Sequence, residues 1–292
     1  MERIFQYRIT PEDDGCNIQT FLKIHHFSRG VITLLKKTPL GICRNEHHAY
    51  VSEVLEQGDL LTLRLIENTN SDIAPIYSPL HILYEDEDLM VINKPAGMPI
   101  HPSIRHHEYT LANALAYLMQ KRGESFVFRC INRLDKDTSG LTIIAKNLHS
   151  SGRLGDAMKR REIKRTYLGI ADGVLKDTGT IDAPIARKDE SIIERCVDFT
   201  KGESAVTHFT CLKQENGLSL ASFVLETGRT HQIRVHMKYN HTPLIGDFLY
   251  HPKNHQMKRQ ALHAWKLSFD HPISHTSMHF IAEVPNDFIL KP

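Results

Sequence analysis

Three stretches of the chain concentrate residues able to do chemistry. In residues 131–140, INRLDKDTSG, Arg133 and Asp135 stand two apart, so an extended chain turns both side chains to one face. A carboxylate presented on such a loop can attack carbon or stabilise positive charge developing on it. Asp137, Thr138, Ser139 and Gly140 follow with the composition of a tight turn. The same ten residues also fit an ordinary β-turn with a surface ion pair. In residues 226–237, ETGRTHQIRVHM, Thr227-Gly228 reads as a turn and Thr230 as a helix cap. Arg229 then falls at the helix edge, where it could reach an aspartate on a neighbouring loop and favour its ionised form. A helix N-terminus with surface cations is the plainer alternative. In residues 164–173, KRTYLGIADG, Tyr167 follows a basic segment at the start of a strand. An aromatic ring there can stack on an unstacked base or simply pack in the core.

The elements that must position these groups can be read from periodicity. The loop 131–140 lies between an apolar segment, 126–131, and the β-branched strand 141–145, LTIIA, so both its ends are held by sheet, the setting in which catalytic groups are usually presented. Strands are expected at 89–93, 166–171, 206–211 and 218–226, with Lys94-Pro95-Ala96-Gly97 as the turn that ends the first. Helices are expected at 110–122, closed by Gly123, at 149–164 and at 230–239. Few β-α-β alternations occur, which predicts an α+β fold on a mostly antiparallel sheet. Residues 1–75 parse separately. They contain a helix over 17–26, a second from the Ser28 cap to Lys37 stopped by Pro39-Leu40-Gly41, and short strands at 41–45, 50–53 and 59–66. The polar, proline-containing stretch 67–79 predicts a linker, giving a small unit over 1–75 and a larger one over 80–292.

Composition bounds the function. The 292 residues include 36 Lys+Arg, 34 Asp+Glu and 19 His. No apolar run approaches the roughly 18 residues of a membrane span, and the acidic N-terminus lacks the apolar core of a secretory signal. Five scattered cysteines without C-x-x-C read as reduced thiols of a cytoplasmic protein. His271, His275 and His279 recur every four residues, as do His251 and His255, but prolines follow the first histidine of each set. The later segment reads as turn and strand, where such spacing assembles no metal site. A net charge of +2 argues against a nucleic-acid binder when taken alone. It averages, however, over a unit of −2 in residues 1–75 and one of +4 beyond, and residues 157–166, AMKRREIKRT, hold five cations and one anion. That run is either a solvated helix face or a grip on phosphates.

Taken together and in order, the segments LMVINKPAGMPIHP, INRLDKDTSGLTIIAK, KRTYLGIADG, LETGRTHQIRVHM, HTPLIGDFLYH and QALHAWKLSFDHP resemble the RluA/RluD-type family of RNA pseudouridine synthases. The likeness runs through residues 83–288. It implies that Asp135 is the catalytic group, acting at C1′ or C6 of uridine while the glycosidic bond breaks and the uracil reattaches through C5. It further implies that Arg229 pairs with Asp135, that Tyr167 stacks on the target base and is a candidate for relaying the C5 proton, and that Arg133 fills the space left by the flipped nucleotide. An isomerisation with no net redox change requires no metal, nucleotide or redox cofactor. The expected partner is structured RNA, ribosomal first and transfer RNA second, with the protein acting as a monomer. Asn132 stands where the family usually carries His, and it can orient but not titrate near neutral pH. Residues 1–75 resemble, more loosely, the small RNA-binding domain named after ribosomal protein S-four, although the usual basic residue before the first helix's Phe-Leu is missing. Two other readings stand beside this one. One is a non-catalytic RNA-binding protein that keeps the fold. The other is a glycoside hydrolase, which would need a second carboxylate such as Asp137 near the first.

Overall fold

The first unit begins with strand β1 (Glu2–Arg8), continues with helices α1 (Ile18–Ile24) and α2 (Arg29–Lys37), and closes with strands β2 (Ile42–Arg44), β3 (His47–His48) and β4 (Leu60–Ile66). The structure is a computed structural model that describes residues 2–67, 72–103, 107–189 and 191–292. Alternation in β4 buries Leu61, Leu63 and Leu65 on one face. Ile18, Phe21 and Leu22 of α1 and Val31 and Leu35 of α2 complete that core. Asn17 and Ser28 cap the helices by accepting the N–H groups of Thr20 and Val31. The sheet runs β1-β4-β2-β3 and is antiparallel throughout. β1 lies outside the strands expected from the sequence, because its alternation buries only Phe5. The strand expected at 50–53 is instead a turn, closed by the Tyr50 N–H on the Glu53 carboxylate and the Glu53 N–H on the Tyr50 carbonyl.

The second unit contains β5 (His81–Glu85), β6 (Leu89–Lys94), α3 (Leu111–Arg122), β7 (Ser139–Ala145), α4 (Leu148–Lys159), β8 (Lys164–Asp172), β9 (Thr178–Asp182), β10 (Ile185–Arg187), β11 (Arg195–Val197), β12 (Val206–Glu215), β13 (Leu218–Leu225), α5 (Gln232–Tyr239), β14 (Leu262–Asp270) and β15 (Ser277–Ile281). Eight of these strands follow the order β5-β6-β7-β14-β8-β13-β12-β9, with β15 added on β14. The β7–β14 pair is parallel and its neighbours are antiparallel, so the fold is α+β on a mixed, mostly antiparallel sheet. Gly140 makes the parallel junction possible: at φ +113° it lies so close to β14 that a Cβ would sit 2.2 Å from the Ala264 carbonyl oxygen. α3 has a Thr110–Asn113 capping box and ends on Gly123 in the left-handed region. α4 stops at Lys159, short of the expected 164, because Arg161 turns to φ +61° and the chain enters β8 at Lys164.

Specific contacts join the two units. Arg3 donates through Nε and Nη2 to Asp88 at 3.1 and 2.9 Å, and Asp88 also accepts from Asn147 Nδ2 and Ser150 Oγ. The Phe27 ring stacks on His149 with centroids 3.8 Å apart and planes 7° from parallel. Glu67 accepts the Leu148 N–H at 2.7 Å and pairs with Arg129. Of the expected linker, residues 68–71 lie outside the described residues, and the part that follows is bound to α3: Asn113 donates to the Ala74 carbonyl and accepts the Ile76 N–H on its own carbonyl.

This junction carries a pH dependence. Burial, with Arg153 adding to it, pushes His149 from 6.5 down to about 4. The unfolded chain takes up that proton near 6.5 and the folded one only near 4, so the unfolded state binds more protons in between. Stability therefore falls as pH drops through that window, by up to about 1.4 kcal/mol per pH unit for this histidine. His149→Phe keeps an aromatic partner for Phe27 and removes the proton. In urea unfolding, the stability of wild type relative to this variant should decline from about pH 6.5 and level off near pH 4. Parallel curves would show that His149 is solvated.

Candidate active site

The loop that follows residue 131 is fastened along both arms. The Ile131 N–H bonds the Ile143 carbonyl and the Ala145 N–H bonds the Arg129 carbonyl, so residues 129–131 run beside β7 before the chain turns back into it. Asn132, 2% exposed, donates from Nδ2 to the Leu141 carbonyl and accepts the Ile143 N–H on Oδ1. It clamps the loop onto β7, an orienting role that needs no titration. Two buried cations hold the far side of the loop. Lys94 Nζ donates to the carbonyls of Pro95, Met98 and Lys136, and Arg259 Nη1 donates to that of Asp137 at 3.1 Å. Burial pushes Lys94 down to about 7, against the pull of Asp137 and Asp135.

So held, the loop turns Leu134 inward and places Arg133 and Asp135 on the open side. Both line a cleft of about 1020 Å³, whose walls also include Lys159, Arg161, Lys164, Arg165, Glu226 and Arg229. Six cations thus face two carboxylates, and Glu226 is engaged by His208 and Arg161. An adjoining notch brings together Asp135, Tyr167, His231 and Arg234. Tyr167 is 5% exposed, and burial holds its hydroxyl above the ordinary pKa, with Arg165 pulling the other way. Asp137 is not among the residues lining either space, so it is not the second carboxylate that glycoside hydrolysis would need, and Glu226, which does line the cleft, is tied up by His208 and Arg161.

The partner of Asp135 is Arg234. Its Nη1 donates to Asp135 Oδ2 at 2.9 Å, while Nε and Nη2 form a bidentate pair with Asp247 at 2.7 and 2.9 Å. Arg234 is 3% exposed and Asp247 not at all. Burial disfavours the charged guanidinium, but the bonds to Asp247 and the charges of Asp247 and Asp135 outweigh it and hold its pKa above the ordinary value. Arg229, expected to make this contact, does not. It pairs with Glu203 and donates from Nε to the Ser204 carbonyl. The reason is local. Gln232, rather than Thr230, takes the Arg229 N–H at 3.0 Å and the Thr227 hydroxyl at 2.7 Å, so α5 starts two residues later and the Arg229 side chain stays outside. The sequence did carry a signal for Arg234: a cation flanked by Ile233, Val235 and Met237 on a helix must find a buried partner.

The remaining histidines disperse. His271 bonds Asp86, His275 lies beside Arg153 and His279 beside Ser277. Asp86, Asp88 and His271 come close enough to share an ion, yet both carboxylates already accept hydrogen bonds from Tyr84, His271, Arg3, Asn147 and Ser150.

Comparison with known proteins decides what kind of site this is. The family model described as RNA pseudouridylate synthase matches residues 88–239, a span that includes the loop, Tyr167 and Arg234. The chain belongs to the RNA pseudouridine synthase family. The synthase is 41% identical to the uncharacterized RNA pseudouridine synthase YjbO of Bacillus subtilis, over 83% of this chain and 86% of that one. It is 35% identical to the ribosomal large subunit pseudouridine synthase D of Pseudomonas aeruginosa, over 81% and 78%. Among solved structures, human RNA pseudouridylate synthase domain containing 1 superposes with a TM-score of 0.59 at 25% identity, over 70% of this chain and 83% of that one. The activity of the synthase is therefore the isomerisation of uridine to pseudouridine in RNA. Among the described residues no helix is long and apolar enough to cross a membrane.

Arg234→Met should cost the synthase about 3–5 kcal/mol of folding stability, because it strands the Asp247 carboxylate in the interior. Arg234→Met with Asp247→Asn removes both charges, keeps an acceptor for the Leu249 and Tyr250 N–H groups and should recover much of that loss. Denaturant midpoints of the two variants check this, and a single variant as stable as wild type would sink it.

Proposed function

We propose that Asp135 reacts at the ribose of a flipped uridine, that Tyr167 and Arg133 handle the base and the gap it leaves, and that the natural substrate is ribosomal RNA, with transfer RNA second. One observation carries the reading: Oδ2 of Asp135 is held by Arg234, Oδ1 has no hydrogen bond among the described residues, and the residue lines a cation-rich cleft. A carboxylate fixed on one oxygen and free on the other suits attack at C1′ or stabilisation of an oxocarbenium ion there. The N1–C1′ bond breaks, the uracil turns within the site, C5 bonds to C1′, and the C5 proton is lost as N1 regains one. The atoms balance without any added reactant.

The target must leave its helix for this to happen, since a stacked base can neither be approached at C1′ nor rotated. Tyr167 borders the notch beside Asp135; in this reading its ring stacks on the uracil and its neutral hydroxyl relays the C5 proton. Arg133, exposed at the cleft, would occupy the vacated stack. Arg229 also borders the cleft, where it can meet phosphate without touching Asp135. The preference for ribosomal RNA is supported by the relatives named ribosomal large subunit pseudouridine synthase D, at 35–38% identity. The first unit, S-four-like in its helix-helix-strand order, would add RNA contacts through Arg29, Lys36 and Lys37, exposed on α2. The free cysteines of the chain fit a reducing, cytoplasmic setting.

RNA tritiated at C5 of uridine tests the role of Asp135. Wild type should release tritium, and Asp135→Asn should lower release by roughly 10³-fold or more. Undiminished release from the variant, or free uracil as product, overturns the reading. Ribosomal and transfer RNA supplied side by side rank the substrates.

Tyr167→Phe separates stacking from proton relay. RNA affinity should be retained, and turnover should slow by about 10²-fold if the hydroxyl carries the C5 proton. Unchanged turnover removes the relay and leaves Tyr167 as a stacking surface.

A further inference from the structure

At the start of α5 stands a histidine to which neither the sequence patterns nor the family resemblance gives a role. His231 is held in the left-handed region, φ 59° and ψ 18°, and its side chain caps nothing. Its Nδ1 lies 2.9 Å from the Tyr250 hydroxyl, and that hydroxyl accepts the Arg195 N–H at 2.9 Å. Its Nε2 lies 3.8 Å from Asp135 Oδ2, the oxygen that Arg234 also holds.

These contacts fix the tautomer. Tyr250 is 3% exposed, and its hydroxyl owns one proton. The oxygen accepts from Arg195, and the described residues bond no acceptor to the hydroxyl other than His231. A proton on Nδ1 would leave the hydroxyl proton stranded in the interior, at the cost of an unmade hydrogen bond. Tyr250 therefore donates to Nδ1, and the imidazole carries its own proton on Nε2, toward Asp135. Burial holds the ring below its ordinary pKa, against the pull of Asp135 and Asp247 and with Arg234 and Arg195 adding to the lowering. The ring that faces Asp135 is a neutral donor.

We propose that His231 is a positioning residue for Asp135: a neutral Nε2–H donor, locked in that tautomer by Tyr250, which joins Arg234 on Oδ2 and leaves Oδ1 to react. The proposal rests on the role assigned to Asp135 above. One donor on Oδ2 lets the carboxylate rotate about its Cβ–Cγ bond, whereas two donors converging from different directions stop it. Without RNA the second contact is 3.8 Å long. The proposal requires this contact to shorten when substrate binds, as catalytic hydrogen bonds tighten on passing from the free enzyme to the complex.

Glutamine and asparagine separate this role from a structural one. The amide nitrogen of Gln reaches about as far as Nε2, and that of Asn about as far as Nδ1. The left-handed backbone favours Asn and not Gln. If His231 serves Asp135, His231→Gln should keep kcat within about threefold, while His231→Asn should lose about 10²-fold in kcat with KM for RNA unchanged. If His231 serves only the helix start, the order reverses. Tyr250→Phe leaves residue 231 and its backbone intact and should lower kcat by roughly tenfold by freeing the tautomer. This variant keeps the test open should a residue-231 variant fail to fold. Asn equal to or better than Gln, a loss confined to KM, or an unchanged kcat in Tyr250→Phe each overturns the proposal. Asp135→Asn is assayed alongside. Activity surviving there removes the reading of Asp135 itself, whereas activity lost there with the Gln and Asn order reversed removes only the role of His231.

Discussion

The site hangs on one guanidinium. Arg234 spends two donors on Asp247 and one on Asp135, and both it and Asp247 are out of water. Desolvating such a pair costs about as much as the attraction returns, so its value to net stability is small. Its value is geometric. A planar fork clamped on one side by a buried carboxylate can present its remaining N–H in only one direction, and Asp135 stands in that direction. Asp247 is fixed in turn, because it accepts the backbone N–H groups of Leu249 and Tyr250, and the Tyr250 ring lies 5.0 Å from the guanidinium carbon. The carboxylate in the cleft is thus referred, through one arginine, to the backbone of a different loop.

The opposite half of the geometry comes from the sheet. The loop that carries Asp135 ends where β7 meets β14 in parallel, a junction that only a residue without Cβ could fill at position 140. Lys94 and Arg259 then fasten two consecutive carbonyls, those of Lys136 and Asp137, from behind. Arg259 is itself held by Asp287 near the end of the chain. Elements separated by some two hundred residues therefore converge on three residues of loop. The loop thus needs β6, β7 and β14 beside one another before its backbone has these partners.

Local signals carried much of this into the sequence, and long-range ones did not. Ser28 and Gly123 mark helix ends through chemistry contained within four residues, and both stand at the helix ends that the sequence predicts. The two-residue spacing of Arg133 and Asp135 put both on the open face, as an extended chain requires. The resemblance pairs Arg229 with Asp135, and spacing does not correct it, because spacing cannot distinguish an arginine in a polar turn from one five residues later inside a helix. What distinguishes them is burial, and the apolar neighbours of Arg234 were the only trace of it. β1 and the turn at 50–53 escape periodicity for a related reason. A strand with one buried side chain and a turn closed by its own glutamate both depend on contacts that periodicity does not register.

Charge follows the same division between total and placement. A net of +2 over 292 residues says little about a phosphate chain, because counterion release is counted contact by contact. Along the cleft, six cations line the wall against two carboxylates, and one of the two, Glu226, is already paired with Arg161 and His208. The other is Asp135, whose partner Arg234 divides its single positive charge between Asp135 and the buried Asp247. Attraction of a phosphate chain therefore falls to the cations of the cleft wall. Arg234 sets the direction of the Asp135 carboxylate without cancelling its charge, so positioning and substrate attraction are carried by different cations.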